Sequence, residues 1–305
     1  MKFQTLQALL HIEALGSIRA AAQRVNLSQP ALTAAIQQLE EELNAPLLVR
    51  TKQGASFTEF GRAFLVRARL MVEESRRARE EIDQLRGRWA GSVRFSTSPA
   101  VALSLLPPAL QDFRRRHPDV QVECRDGLYP GITPALRDGT LDFGLTPVHR
   151  QEVEPDLVAE PLLVTEIVIA CHRSHPLRQA TRLAELADCA WVHSSAPRGP
   201  GAIVEEAFAR SGLAPPRRGM TCESFLALPA IVAQSDFMAT LPRMVFELNA
   251  FRAALCEVPI EDELPRPTVH VLRRHDLPLT PAAQDLIGWI RHHAQAGREA
   301  AHPPG

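Results

Sequence analysis

One long helical segment, residues 60–88, does most to restrict how this chain can fold. The segment contains no proline, is rich in Arg, Glu and Ala, and follows a heptad pattern. Its heptad positions, all apolar except the serine, are Phe64, Ala68, Met71, Ser75, Ala78, Ile82 and Leu85. Such a helix is roughly 43 Å long, which is too long for one small core. It therefore predicts a dimer interface or a spacer between domains. The alternative is a solvated helix that lies on its own domain.

The composition indicates a globular protein with about two domains. The chain has 305 residues, of which 45% are hydrophobic and 23% are charged, and these values exclude wholesale disorder. The sequence lacks an apolar run of membrane-spanning length, and Gln7, His11 and Glu13 interrupt the apolar core that a signal peptide needs. The five cysteines lack metal-ligand or CxxC spacing, which is typical of buried thiols in a reducing compartment. We expect a cytoplasmic protein that binds neither a membrane nor a metal ion.

Residues 1–60 predict three short helices followed by a hairpin. An apolar stripe with helical spacing ends at Gly16, Ser17 can cap a second helix, and Ser28 can cap a third. Two short apolar pieces around Gln53-Gly54 suggest the hairpin. Two helices joined by a tight turn are typical of a helix-turn-helix that binds DNA. The alternative is a purely structural helical hairpin.

The third predicted helix would bury Leu32, Ile36 and Leu39 and expose a polar face. On that face, Gln29 can pair bidentately with adenine, and Thr33 can contact a base edge or a thymine methyl group. Ser28 and the free N–H groups of the first turn suit a phosphate. The candidate DNA-binding residues from this helix and the hairpin are Ser28, Gln29, Thr33, Gln37, Arg50 and Lys52.

The charge of residues 1–60 is balanced, which is unusual for a DNA-binding domain. The five basic and five acidic side chains are Lys2, Arg19, Arg24, Arg50 and Lys52, and Glu13, Glu40, Glu41, Glu42 and Glu59. Binding would depend on local placement of the basic groups, on helix dipoles and on two copies acting together. We expect modest DNA affinity for a monomer and substantial affinity only for an oligomer.

After Gly91, strand-like and helix-like segments alternate, which predicts βαβ units with a parallel sheet in two blocks. The chain would cross between the blocks at about 162–166 and 265–268, as in a hinged, two-lobed sensor. The predicted divisions are a DNA-binding domain over 1–60, a linker helix over 61–90, and an effector-binding domain over 91–305, whose first lobe covers about 91–163 and 267–297 and whose second covers about 164–266.

A ligand cleft is expected between the lobes, because open α/β sheets bind ligands at the carboxyl ends of strands and at helix N-termini. Serine-rich segments precede a predicted helix in both lobes, and each suits an anion such as an aromatic sulfonate or carboxylate. The candidate effector-binding residues are Ser96, Thr97, Ser98, Pro99, Ala100, Tyr129, Thr146, Ser194, Ser195, Arg198 and Phe225. For each residue alone, a turn or capping role is the alternative.

Enzymatic function is not expected. The histidine pairs at 172/175 and 292/293 lack carboxylate or cysteine partners at ligand spacing, and neither a GxSxG motif nor a phosphate-binding glycine loop occurs. A competing hypothesis is a solute-binding or transferase-like α/β protein that carries a helical dimerisation domain. We expect no bound cofactor apart from the small-molecule effector.

The segments AAAQRVNLSQPALTAAIQQLEEELNAPLLVRT (20–51) and TEFGRAFL (58–65) resemble the LysR-type transcriptional regulators, and the match extends over essentially the whole chain. The resemblance implies a winged helix-turn-helix, a dimerising linker helix and a bilobed effector domain like periplasmic binding proteins. It also implies a homotetramer that binds double-stranded promoter DNA, with RNA polymerase as a further partner.

By this resemblance, Pro30 joins Ser28, Gln29 and Thr33 among the residues that face DNA, and Gln53 stands where the family often has an arginine for the minor groove. Two further departures are Leu48 in place of a usual phenylalanine and Ser235 in place of a usual glycine. The segments SSAPRGPGA, CESFLALP and LRRHDLPLTPAA are similar to those of a family member that responds to toluenesulfonate.

Overall fold

The structure is a computed structural model that describes residues 1–51, 54–148, 152–193, 202–222, 224–248 and 252–301. The chain forms a small helical domain with a hairpin, then one long helix, then two α/β lobes. This order of elements confirms the predicted fold class. Within the described residues, no helix is both long and apolar enough to cross a membrane.

Three helices form the N-terminal domain: α1 (Phe3–Leu15), α2 (Ile18–Arg24) and α3 (Gln29–Leu43). The predicted caps are present, because the Ser17 hydroxyl accepts a bond from the Ala20 N–H and the Ser28 hydroxyl accepts one from the Ala31 N–H. The helices enclose a core of apolar side chains that includes Leu9, Ile12, Ala21, Leu32, Ile36 and Leu39.

The predicted hairpin follows α3 and consists of strands β1 (Leu48–Thr51) and β2 (Gly54–Phe57). Their antiparallel register places Leu48 opposite Phe57 and Thr51 opposite Gly54. Helix α4 (Glu59–Leu85) begins directly after the hairpin, and the Thr58 hydroxyl caps it by accepting a bond from the Gly61 N–H.

Helix α4 packs on its own chain at several points and exposes an apolar strip elsewhere. Leu65 packs in the core of the N-terminal domain, and α1 lies antiparallel along the helix. The Gln84 side chain accepts a bond from the Ala282 N–H of the first lobe at 3.0 Å. By contrast, Ile82 is 51% exposed and Leu85 is 74% exposed. The last two predicted heptad positions, Ile82 and Leu85, are therefore not buried by other parts of the same chain.

The first lobe contains a five-stranded sheet in the order β4-β3-β5-β12-β6. The strands are β3 (Gly91–Thr97), β4 (Val120–Asp126), β5 (Phe143–Pro147), β6 (Leu157–Val164) and β12 (Thr268–Arg274). The helices of this lobe are α5 (Pro99–Ser104), α6 (Leu106–Arg116), α7 (Thr133–Arg137) and α11 (Pro281–Ala301).

The expectation of a parallel sheet is only partly correct. Strand β3 is parallel to β4 and β5, but β12 is antiparallel to both β5 and β6. The reason is the route of the chain: β6 leaves the first lobe at the same end at which β12 returns to it, so the two neighbours must run in opposite directions. Strand β6 lies at the edge of the sheet, where Pro161 is tolerated.

The second lobe is built around the antiparallel strands β7 (Ile167–His172), β10 (Ala239–Pro242) and β11 (Leu255–Val258), in the order β10-β7-β11. A parallel pair, β8 (Trp191–His193) and β9 (Arg218–Thr221), lies beside β10 through a bridge between Trp191 and Met238. The helices are α8 (Ala202–Arg210), α9 (Ala227–Val232) and α10 (Arg243–Phe246), with a 3-10 helix at Leu183–Leu186.

Candidate functional site

Helix α3 presents a polar face to solvent. Its apolar side chains, Leu32 and Ile36, are 0% and 4% exposed, so they attach the helix to the domain core. On the opposite face, the predicted DNA-binding residues Ser28, Gln29, Pro30 and Gln37 are exposed, and Thr33 is partly exposed. The N-terminal half of α3 is therefore free to enter a groove of another molecule.

Two hydroxyl groups on this face make hydrogen bonds within α3, and each can still form one more hydrogen bond. The Ser28 hydroxyl accepts the Ala31 N–H as an N-cap, so its own proton remains available to donate to a phosphate. The Thr33 hydroxyl donates to the Gln29 carbonyl at 2.9 Å. With that proton engaged, Thr33 can still accept a bond or offer its methyl group to a base.

The hairpin carries the other predicted DNA-binding residues. Arg50 lies on β1 opposite Ala55, and the position of its side chain lies outside the described part of the structure. Lys52 and Gln53 also lie outside the described residues. The structure therefore places the base of the hairpin beside α3 and leaves the contacts of its tip as predictions.

The link between α3 and the hairpin was missed by the sequence analysis, which treated Glu40 only as one of five acidic charges. The Glu40 carboxylate accepts bonds from the N–H groups of Leu47 at 2.6 Å and Leu48 at 3.0 Å. Thr58 bonds the same segment from the other side, because its hydroxyl donates to the Pro46 carbonyl at 2.6 Å. The entry to the hairpin is thus attached to α3 by Glu40 and to the start of α4 by Thr58.

In the first lobe, the carboxyl ends of β3 and β5 bring several predicted effector-binding residues together. Ser96 and Ser98 are 1% and 4% exposed, and their hydroxyl groups lack a hydrogen-bond partner among the described residues. The Ser98 N–H donates to the Leu145 carbonyl at 2.7 Å, which ties the start of α5, at Pro99 and Ala100, to β5. This edge thus holds two buried hydroxyl groups with unused hydrogen-bonding capacity.

Close packing surrounds the Ser96 hydroxyl. Gly144 lies opposite Ser96 across the sheet, and a Cβ atom there would lie 2.3 Å from the Ile132 side chain and 3.2 Å from the Ser96 hydroxyl. A side chain at position 144 would therefore displace Ile132 or block this hydroxyl. Glycine keeps the space beside it open.

Tyr129 and Thr146 lie together at the rim of the same edge. The Tyr129 N–H donates to the Thr146 hydroxyl at 3.1 Å, and the Tyr129 hydroxyl donates to the Glu152 carbonyl at 2.5 Å. Thr146 is fully buried, whereas Tyr129 is partly exposed. This bonding fixes the loop over the ends of the strands. Thr97, also fully buried, donates to the Ser98 carbonyl at 3.2 Å.

In the second lobe, Ser194, Ser195 and Arg198 lie outside the described residues. Phe225 is partly exposed in the turn before α9. The Cys222 N–H donates to the His193 carbonyl at 2.8 Å, so this turn lies beside the end of β8, where the serine-rich segment begins. This backbone contact shows that the turn before α9 lies near the end of β8, and the effector contacts of the second-lobe side chains remain predictions.

An open pocket of about 360 Å³ lies in the second lobe, beside the points where the chain crosses between the lobes. Its walls include Glu166, Arg243 and Glu257, and the arginine forms ion pairs with both acids. Nearby, the Ser104 hydroxyl, which donates to the Ala100 carbonyl at 2.6 Å, lies 3.1 Å from the Met244 sulfur, so α5 of the first lobe contacts α10 of the second. The ion pairs lie within the second lobe, whereas the contact of Ser104 with Met244 lies between the lobes. Among the described residues, no three His, Cys, Asp or Glu side chains are close enough to hold a metal ion.

An exposed helix of a helix-turn-helix, a hairpin, a long helix and two α/β lobes define a DNA-binding regulator with an effector domain. Comparison with protein families agrees with this class. The model described as the LysR substrate binding domain matches residues 86–295, and the model described as the bacterial regulatory helix-turn-helix protein, lysR family, matches residues 3–62. The chain belongs to the LysR family of transcriptional regulators.

Among curated proteins, the chain is similar to the SDS degradation transcriptional activation protein of a Pseudomonas species, with 33% identity over 93% of this chain and 95% of that protein. It is also similar to the HTH-type transcriptional regulator GalR of Pseudomonas putida, with 26% identity over 94% of this chain and 72% of that protein.

Two solved structures share the fold. Full-length OxyR from Pseudomonas aeruginosa superposes with a TM-score of 0.72 at 19% identity, over 95% of each chain. Full-length CbnR complexed with its target DNA superposes with a TM-score of 0.70 at 21% identity, over 96% of this chain and all of that one.

Proposed function

We propose that this protein is a cytoplasmic, non-catalytic regulator that inserts α3 into the major groove of promoter DNA. The observation that carries this proposal is the solvent exposure of the polar face of α3, residues 28–37, in a domain that buries the opposite face. Gln29 and Thr33 would contact base edges, and Ser28 would contact a phosphate. Pro30, Gln37 and the hairpin residues Arg50, Lys52 and Gln53 complete the proposed contact set.

The proposed active form is a homotetramer built from two dimers. Support comes from α4, whose exposed apolar side chains include Ile82 and Leu85, at heptad spacing with the exposed Ala78. Pairing of two α4 helices would cover this strip and hold two copies of α3 at a fixed separation. Two copies would also compensate for the neutral charge of each N-terminal domain.

The proposed effector is a small anion, such as an aromatic sulfonate or carboxylate, bound between the lobes. Support comes from the buried hydroxyl groups of Ser96 and Ser98, since buried polar groups normally have a partner and a ligand oxygen can supply one. Thr146, Tyr129 and the second-lobe residues Ser194, Ser195, Arg198 and Phe225 would line the remainder. The name of the Pseudomonas relative refers to SDS, an alkyl sulfate, which is in keeping with a sulfur oxyanion.

The effector would act by favouring one arrangement of the lobes. A ligand shifts such an equilibrium only by the difference between its affinities for the two arrangements. Contacts across the lobes, such as that of Ser104 with Met244, are where that difference would be expressed. The resulting change in the spacing of the α3 helices would alter transcription, with RNA polymerase as the proposed downstream partner.

A thermal-shift panel tests the effector assignment. We would measure the unfolding temperature of the full chain with aromatic sulfonates, aromatic carboxylates and alkyl sulfates, because a ligand that binds only the folded state raises that temperature. The key variant is Ser98→Ala, which removes an unpartnered buried hydroxyl and should not lower stability in the absence of ligand. The control is Ser174→Ala, at an exposed position in the second lobe.

We expect at least one of these anions to raise the unfolding temperature of the wild type and of Ser174→Ala, with a smaller rise for Ser98→Ala. Equal rises in all three proteins would remove Ser98 from the site. If no anion of the panel stabilises the wild type, the proposed chemical class is wrong.

A further inference from the structure

The geometry points to Glu40 as a positioning residue for DNA binding, which holds the hairpin (residues 48–57) at a fixed distance from α3. Glu40 is not placed to contact DNA itself; it acts through the N–H groups of Leu47 and Leu48. This inference rests on the proposed function, because it concerns how the two DNA-contacting elements are held relative to each other.

The contacts of Glu40 are directed at Leu47, directly before the hairpin, and at Leu48, its first residue. One carboxylate oxygen, Oε1, accepts both the Leu47 N–H at 2.6 Å and the Leu48 N–H at 3.0 Å. Hydrogen bonds to an ionised acceptor are shorter and stronger than those between neutral groups. Leu47 is only 1% exposed, so its side chain is anchored in the core while its N–H is bound to α3. The entry to β1 is thereby fixed to the last turn of α3.

The carbonyl groups of the same segment are held from the other side. Thr58 donates through its backbone N–H to the Leu47 carbonyl at 3.0 Å and through its hydroxyl to the Pro46 carbonyl at 2.6 Å. A Cβ atom at Gly61 would lie 2.1 Å from the Leu47 carbonyl oxygen, so α4 approaches this point closely. Thr58 therefore ties the hairpin to α4, and Glu40 ties it to α3.

The charge of Glu40 is otherwise unfavourable at this place. The last turn of α3 carries three acids and no basic residue, although the C-terminus of a helix favours cations. The acids would also lie on a domain that approaches polyanionic DNA. Glu42 is compensated by the N-terminal ammonium group at 2.7 Å, and Glu41 is exposed. Glu40 is compensated by the two hairpin N–H groups, which is why an acid suits this position.

Amide hydrogen exchange of the free, full-length protein tests the contacts directly. The variants are Glu40→Ala and Glu40→Gln, and the matched control is Glu41→Ala, which removes the same charge one residue away. We expect the amides of Leu47 and Leu48 to exchange about tenfold faster or more in Glu40→Ala, and at the wild-type rate in Glu41→Ala. Unchanged exchange at both amides in Glu40→Ala would overturn the inference.

A second experiment measures positioning on DNA. The probe is a duplex that the wild type selects from random sequences. Because Glu40→Ala and Glu41→Ala each remove one negative charge, they share the same electrostatic gain in DNA affinity. We expect Glu40→Ala to bind about tenfold more weakly than Glu41→Ala. Glu40→Gln should recover most of this loss, since its amide oxygen can still accept both bonds.

Footprinting separates positioning from loss of fold. In Glu40→Ala at saturation, we expect loss of hydroxyl-radical protection in the minor groove, where the hairpin would lie, with retained protection of guanine N7 in the major groove, where α3 would lie. Parallel loss of both protections would indicate a merely structural role and overturn the inference. Equal affinity and equal footprints for the Glu40 and Glu41 variants would also overturn it. Failure of the wild type to select any sequence would instead overturn the proposed function.

Discussion

Arg77 of α4 and Asp142, directly before β5, form a buried ion pair that joins the long helix to the first lobe. The Arg77 Nε donates to Asp142 Oδ1 at 2.7 Å, and the side chains are 10% and 4% exposed. The other oxygen of Asp142 accepts the Arg94 N–H of β3 at 2.7 Å. The middle of β3 and the amino end of β5 are therefore attached to α4 through Asp142, while the carboxyl ends of both strands hold Ser98 and Thr146 of the candidate effector site.

We expect Arg77→Met to destabilise the junction of α4 and the first lobe strongly. The substitution leaves the Asp142 carboxylate buried without its cation, and breaking a buried pair in this way costs about 3 to 5 kcal/mol. Urea unfolding measures the change in free energy. The control is Arg67→Met, at an exposed position of the same helix. Equal stability of the two variants would show that the pair does not hold the junction.

Asp142→Asn provides a graded comparison. The amide oxygen can still accept the Arg94 N–H, so the variant should lose less stability than Arg77→Met. A larger loss than that of Arg77→Met would mean that the bond to β3, and not the ion pair, is the main contribution of Asp142.

We expect Leu85→Glu to weaken self-association. Leu85 is 74% exposed in one chain, and a charge there would be buried in an α4–α4 interface. Light scattering across a concentration series measures the molar mass. The control is Arg86→Glu at the neighbouring exposed position, which changes the charge by one unit more. If both variants have the same mass as the wild type at every concentration, the dimer interface lies elsewhere.

The stability of the first lobe should depend on pH through Glu160. Burial of this carboxyl group acts to raise its pKa, but hydrogen bonds and charge attraction from Arg273 and Arg291 outweigh burial and lower the pKa. Its contribution is therefore complete above the ordinary glutamate pKa and is lost as the pH falls through the lower, folded-state pKa.

We expect Glu160→Gln to cost about 1 kcal/mol or less at pH 7, since the group is partly exposed, and nothing once the pH is well below the lowered, folded-state pKa. Denaturant unfolding at a series of pH values gives the difference between the variant and the wild type. Glu263→Gln, at an exposed position, is the control. A difference that grows as the pH falls would contradict this assignment.

Thiol reactivity should distinguish the cysteines. Burial, followed by the nearby Cys256 thiol at a sulfur–sulfur distance of 3.7 Å, raises the pKa of Cys171 to about 12. Because the thiolate is the reactive form, Cys171 should resist iodoacetamide at pH 8 until the second lobe unfolds. The exposed Cys124 should react first, although burial of its sulfur and Asp126 raise its pKa as well. Mass spectrometry of timed samples measures both rates, and equal rates in native protein would contradict the predicted order.

The sequence predicted the polar face of α3 because its determinants are local. Helical spacing places Leu32 and Ile36 inward, Ser28 caps the first turn, and the structure agrees on each point. The fold class was likewise readable from the alternation of strands and helices after Gly91. Short-range periodicity is thus sufficient where neighbours in sequence determine burial.

Contacts between distant residues were not predictable in the same way. The Arg77–Asp142 pair joins residues on separate elements, and residue spacing along one helix carries no information about such a partner. Strands β9, β10 and β11 are only four residues each, which is too short for a clear alternating pattern. The antiparallel direction of β12 depends on the route between the lobes, which no single segment encodes.

The most direct test of the account is the sequence preference of Gln29→Ala. The ratio of affinities for the wild-type's selected duplex and for a scrambled duplex would be measured at several salt concentrations, with Gln23→Ala, exposed on α2, as the control. We predict that Gln29→Ala loses about 1 to 3 kcal/mol of discrimination with an unchanged salt dependence, and that Gln23→Ala loses none. An unaltered ratio in Gln29→Ala, or a wild type that binds both duplexes equally, would contradict the account.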